Sequence, residues 1–327
     1  MKDFKLIRTA QLVEKIVLVD GLTRTGKSML GPILASLKDI EIERVEEIFE
    51  YIALMSSLGK IDYDAAVQLI QLEADMKFYE SIIGRNTNFR YSDHSSVFNN
   101  PFRFDYFKRL FQKEGEAAVQ KVRNNKITFQ VQTHDTLGLI DPFFTAFGSK
   151  LYVLEMIRHP IDLIYSWFRR GWGERWANDP LSMTVTANNK GEIVPWYFLF
   201  IDEDYSSLVP MDRILIMINV LQRRVLDKYE SLSESQRKQI LWISFDDFVT
   251  NSNDEIKHIE TFLNSPSTSK TKNTMKKENC PRVIKEADRD GKFDVIKKNT
   301  QKLHLVEEIF NSYEKAKGII EWQRTNF

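Results

Sequence analysis

Residues Gly21 to Ser28, GLTRTGKS, match the pattern G-x-x-x-x-G-K-[ST]. They lie between a β-branched apolar run, KIVLVD at 15–20, and the periodic stretch SMLGPILASL, the strand–loop–helix setting such a loop needs. Gly21 and Gly26 permit a tight turn, so that successive backbone N–H groups face one anion while the helix N-terminus adds partial positive charge. Arg24 and Lys27 add full charges, and Thr25 and Ser28 add hydroxyls. At the start of the helix, Ser28 reads as an N-cap in any fold. The chemistry is capture of a phosphate-type anion, with the nucleotide left open. A nucleoside-triphosphate enzyme would also show an apolar strand ending in an acid that holds magnesium. Here LYVLEMI ends in Arg158, and ITFQVQ ends in Thr133-His134 with Asp135 only afterwards.

A second anion signal lies in RHPIDLIYS, where Arg158 and Ser166 straddle a strand end and the first turns of the next helix. A guanidinium and a hydroxyl so placed can reach one phosphate. With RTGKS, this segment resembles the nucleotide motifs of the sulfotransferase family. The resemblance implies that Arg24, Thr25, Gly26, Lys27 and Ser28 bind the 5'-phosphosulfate of 3'-phosphoadenosine 5'-phosphosulfate. Arg158 and Ser166 then bind its 3'-phosphate. It further implies that QTHDTLGLIDPFF carries the catalytic base at His134, that Phe245 of ILWISFDDFV lies near the adenine, and that Arg24 is the catalytic cation. DRDGKF is similar to the basic glycine loop that closes over the 3'-phosphate, which implicates Arg289, Gly291 and Lys292. Two positions depart from the pattern: Met29 stands where an aromatic often follows the loop, and Gln132 where a lysine often precedes Thr-His.

The expected reaction moves a sulfuryl group to an acceptor hydroxyl or amine, leaves 3',5'-ADP and requires no metal. It needs a base, positive charge on the sulfonate and bridging oxygen, and in-line geometry. A histidine with an ordinary pKa near 6.5 suits the first task. His134 competes with His94 and with Glu47, because glycan-acting members use a glutamate. Lys27, like Arg24, can neutralise the departing phosphate. The aromatic segment holding Trp167, Trp172, Trp176, Trp196, Tyr197 and Phe198 either lines an acceptor pocket or forms core. A small molecule or a glycan remains open as acceptor. Two other readings of the loop are a P-loop kinase or NTPase and a non-catalytic nucleotide-binding protein.

Positioning these groups requires an α/β fold: a single P-loop-type domain over 1–327, with a mainly parallel central sheet flanked by helices and a helical insertion. Strands are expected at 15–20, 127–132, 151–157 and 240–244. Pro160 suits a first helical turn, and long helices are expected at 211–230 and 253–264. A helical cap is expected over about 46–123. The polar, Lys-rich stretch at about 264–280 reads as a mobile loop.

The 46 basic residues equal the 46 acidic ones, so no global field draws the chain to nucleic acid or a membrane surface, and any anion site must be local. One cysteine, Cys280, excludes an internal disulfide framework and a thiolate zinc cluster. The N-terminus does not read as a signal peptide, and no run reaches the roughly 20 apolar residues of a membrane span. Together these point to the cytoplasm. Oligomeric state is not legible.

Overall fold

The computed structural model describes residues 4–112, 114–176, 178–285 and 287–326. Its centre is a sheet of five strands, β1 (Ile16–Asp20), β2 (Arg44–Val45), β3 (Phe129–Gln132), β4 (Leu151–Ile157) and β7 (Ile240–Ser244). They run in the order β2-β3-β1-β4-β7, every neighbouring pair parallel. A separate antiparallel hairpin joins β5 (Thr186–Asn189) to β6 (Glu192–Pro195).

Helix α1 (Lys27–Leu34) follows β1, and α2 (Ile48–Ser57), α3 (Tyr63–Ile82), α4 (Arg103–Arg109) and α5 (Glu116–Asn125) occupy the expected helical region. Helix α6 (Asp141–Phe147) follows β3. Next come α7 (Pro160–Arg169), α8 (Trp172–Arg175), α9 (Pro210–Ser231) and α10 (Glu234–Arg237). Beyond β7 lie α11 (Phe245–Thr250), α12 (Ser252–Leu263), α13 (Thr271–Lys277), α14 (Ala287–Asn299) and α15 (His304–Asn326). None of the helices among the described residues is long and apolar enough to cross a membrane.

Strand alternation sorts the core. Ile16, Leu18, Phe129, Val131, Val153, Ile240 and Trp242 face one side, packed with α2, α3, α7, α9 and α15. Val17, Val19, Leu154, Met156, Leu241 and Ile243 face the other, against Leu30, Ile33 and Leu34 of α1 and Ile256 and Ile259 of α12. Both faces are covered, which is why these strands read as unbroken apolar runs. Helices α2 and α3 contribute Phe49, Ile70 and Phe78 to the same core, all fully buried.

Adjacent strands β1 and β4 send their following helices to opposite faces, since α1 packs in the second cluster and α7 in the first. Such a reversal opens a crevice beyond the strands' carboxyl ends, where open α/β sheets bind ligands.

The stretch at 264–280 is not a featureless loop. Helix α13 buries Thr271, Thr274 and Met275 against α1, and Thr268 and Thr271 hydroxyls donate to the Ser36 carbonyl at 2.7 and 3.1 Å. Its spacing is helical, but two of the three buried positions are threonines, whose hydroxyls are satisfied by hydrogen bonds.

Candidate active site

The loop between β1 and α1 sits at the β1–β4 crevice, and two glycines are required there. A Cβ on Gly21 (φ 125°) would stand 2.3 Å from the Met156 carbonyl oxygen, and one on Gly26 (φ 105°) 2.3 Å from the Phe245 ring. Gly26, not Ser28, is the N-cap of α1; Ser28 is the second helical residue, because Gly26 alone tolerates the left-handed turn into the helix. Trp167 of α7 steadies the loop, its Nε1 donating to the Thr23 carbonyl at 2.8 Å.

The two anion motifs, far apart in sequence, meet directly. Arg24 Nε donates to Ser166 Oγ at 3.2 Å, and Arg158 Nη1 donates to the Arg24 carbonyl at 2.8 Å. Arg158 Nε is buried without a hydrogen-bond partner among the described residues. Phe245, the first residue of α11, lies across Gly26 and under the guanidinium carbons of Arg158 and Arg282, each 5.1 Å from its ring centroid. Burial, then repulsion from Arg170 and Arg158, lowers the Arg24 pKa. Burial also lowers that of Arg158, with Asp162 and Asp246 opposing and Arg282 and Arg289 adding to the shift. In a chain of zero net charge, cations so gathered form a local positive patch.

Arg289 and Lys292 reach this corner, but from a helix. Residues 287–299 form α14, and Gly291 is an exposed helical residue with open space where a Cβ would stand. Arg289 Nε donates to Asp162 at 3.0 Å and its Nη2 to Asp246, while Lys292 bonds Asp162. One turn apart on a helix, the two cations share Asp162 at the start of α7, so the segment is ordered by ion pairs and the glycine serves no turn.

Lys27 is buried, and its Nζ donates to the carbonyls of Gly21 and, at 2.9 Å, Leu22. Four acidic residues, Asp20, Glu155, Glu50 and Asp135, surround it electrostatically. Asp20 accepts from Thr133 Oγ1 at 3.0 Å and from the Leu137 N–H at 2.6 Å, tying β1 to the turn after β3. Glu155 stands in register with Asp20 on the next strand. Burial pushes Glu155 and Asp135 well above the carboxylate range. Of this group the sequence motifs name only Lys27 and Asp135, although Glu155, an acid inside the apolar run LYVLEMI, is a signal visible in the sequence.

His134 lies past the end of β3, half-buried beside α2. The Glu50 carboxylate oxygen Oε1 accepts from its backbone N–H at 2.8 Å and lies 3.0 Å from its Nδ1. The ring does not have an ordinary pKa: burial, then the Lys27 charge, pushes it down to about 3, with Asp20 and Glu47 opposing. It is therefore a neutral imidazole at physiological pH. Glu47 caps α2 next to this pair, whereas the exposed His94 acts electrostatically on Glu278.

Most of the aromatic segment is core. Trp167, Trp176, Trp196 and Phe198 are buried, Trp167 and Trp176 meeting edge to face with centroids 4.9 Å apart. Tyr197 is held near Asp135 and Glu50, and burial raises its hydroxyl pKa.

No protein-family model matches the sequence, and no curated protein matches it. Among solved structures, the chain is similar to the sulfotransferase domain of a Synechococcus olefin synthase, at 12% identity over 96% of this chain and 98% of that one, with a TM-score of 0.49. The sulfotransferase domain from the curacin biosynthetic pathway gives 11% identity, coverage of 80% and 77%, and a TM-score of 0.45. A sulfotransferase from Alicyclobacillus acidocaldarius gives 13%, 93% and 95%, and 0.41. At such distances the residues of the site itself have to carry the chemistry.

Proposed function

We propose that this chain transfers a sulfuryl group from 3'-phosphoadenosine 5'-phosphosulfate to an acceptor hydroxyl or amine. The observation that carries the reading is the junction of Arg24, Ser166 and Arg158, which supports two anion sites at one crevice. The backbone of 21–28 takes the 5'-phosphosulfate, and Arg158 and Ser166 take the 3'-phosphate. Phe245 offers a face for the adenine. The acceptor oxygen or nitrogen bonds to sulfur as the sulfur–phosphate oxygen bond breaks, its proton passes to His134, and 3',5'-ADP departs. Arg24 offsets charge on the leaving phosphate. Lys27, enclosed by acidic residues, fixes the loop and sets the potential around His134. We place the protein in the cytoplasm, acting on a small molecule or a glycan.

The test is thermal unfolding with nucleotides. At concentrations far above its dissociation constant, 3',5'-ADP should raise the melting temperature by several degrees without magnesium. Stabilisation by ATP only with magnesium would favour a kinase or NTPase, and equal stabilisation by 5'-AMP would remove the 3'-phosphate site. Arg158→Ala should weaken 3',5'-ADP about tenfold or more, since a charged hydrogen bond contributes roughly 1.5–3 kcal/mol. Adenosine 5'-phosphosulfate, lacking the 3'-phosphate, should bind this variant nearly as it binds the wild type. Titration calorimetry with both ligands separates the outcomes, and equal weakening of both would refute the assignment.

A further inference from the structure

Near His134 the geometry is more specific than a histidine at a strand end. Glu50 is the third residue of α2, and one of its oxygens touches His134 twice, at the backbone N–H (2.8 Å) and at Nδ1 (3.0 Å). A backbone N–H can only donate, so Oε1 is an acceptor at this contact. The same oxygen faces Nδ1 at 3.0 Å; with Glu50 accepting there as well, the neutral ring carries its proton on Nδ1 and its lone pair on Nε2.

We propose that Glu50 is the positioning residue of the site: through Oε1 it fixes the backbone, ring orientation and tautomer of His134, and so presents Nε2 as the base. The proposal rests on the reading of His134 as the base.

The groups facing the pair are Asp20 of β1, Lys27 of α1, Glu47 at the start of α2, Tyr51 on α2, Asp135 after β3, and Tyr197. Burial, then Asp20, raises the Glu50 pKa well above the carboxylate range, against the His134 N–H and Lys27. At this contact Glu50 serves as an oxygen acceptor, a role that does not depend on a charge. Glutamine reproduces that arrangement, because the His134 N–H repels an amide NH2 and draws the amide oxygen into the Oε1 position. Aspartate does not, since it withdraws the acceptor by one methylene.

The experiment measures kcat, acceptor KM and 3',5'-ADP affinity for Glu50→Gln, Glu50→Asp, Glu50→Ala and His134→Ala with one working acceptor. Glu50→Ala and Glu50→Asp should lower kcat by about 10²-fold, the cost of a base misplaced by roughly 1 Å. Glu50→Gln should stay within about threefold of wild type, and KM and 3',5'-ADP affinity should move no more than about threefold in any of the four. A role confined to packing would not separate glutamine from aspartate in kcat alone. Loss of kcat in Glu50→Gln equal to that in Glu50→Ala overturns the proposal, because charge would then be what Glu50 supplies. Full activity in Glu50→Ala beside an inactive His134→Ala also overturns it while leaving His134 as base. Full activity in His134→Ala removes the base assignment itself and the proposal with it. Where Glu50→Ala fails to fold, the glutamine and aspartate variants still decide.

Discussion

His134→Ala is expected to lower turnover by about 10²–10⁴-fold while 3',5'-ADP affinity stays within a fewfold, because a base acts on the acceptor's proton and barely on the donor. Turnover of the variant beside calorimetric affinity for 3',5'-ADP checks this. Near-normal turnover would sink the assignment. Glu47→Ala and His94→Ala are the controls: His94 is exposed and electrostatically linked to Glu278, and Glu47 acts on His134 electrostatically. Collapse in Glu47→Ala instead would transfer the base to a carboxylate.

The pH dependence follows from the sign of the shift. His134 is pushed down to about 3 in the protein without nucleotide, so its basic form is present throughout the neutral range and kcat/KM for the donor should not fall at pH 6.5. Burial and Lys27 are the causes, and the donor's negative charge opposes the second of them. Binding the donor should therefore raise the imidazole pKa and make it a better proton acceptor. The acid limb of kcat should lie at higher pH than that of kcat/KM for the donor, since the first reports the complex and the second the free protein. Coincident limbs would show that the donor does not act on His134.

Strands were the most legible part of the fold. LYVLEMI and ILWIS are β4 and β7 to the residue, because strands covered on both faces leave uninterrupted apolar runs. The phosphate loop was legible for a related reason, its glycines meeting the Met156 carbonyl and the Phe245 ring that forbid a side chain. Helix α13 was not, since threonines fill two of its three buried positions and polar composition reads as solvent exposure. Residues 289–292 misled in the opposite way. Gly291 suggested a turn, but Asp162 and Asp246 capture Arg289 and Lys292, and a helix results. Glu50 left no trace in the sequence, because an acid in a first helical turn is ordinary in any helix. Only the fold brings it to His134, a partner 84 positions away.

Glu43→Gln is expected to stabilise the protein at pH 8.5 and to leave it nearly unchanged at pH 5. Glu43 is 4% exposed, neither carboxylate oxygen has a hydrogen-bond partner among the described residues, and a Cβ on Gly31 of α1 would stand 2.3 Å from its Cδ. Burial pushes its pKa up to about 8, with Lys27 opposing and Glu278 adding to the rise. The native state thus holds this proton more tightly than the unfolded chain, whose carboxyl titrates near 4.5. Its stabilising contribution is complete below pH 4.5 and is lost as pH rises through about 8. Each pH unit between the two values costs about 1.4 kcal/mol, so the native state should lose a few kcal/mol by pH 8.5, an order-of-magnitude figure. Glutamine fills the same space and never ionises, so it escapes the loss. Below pH 5 both side chains are neutral, and an unpartnered amide gains nothing over an unpartnered acid. Urea unfolding of both proteins at pH 5 and 8.5 gives the difference directly. A gap of equal size at both values would show that Glu43 is not titrating in the native state, and a variant less stable at pH 8.5 would show that its carboxylate is held by a partner.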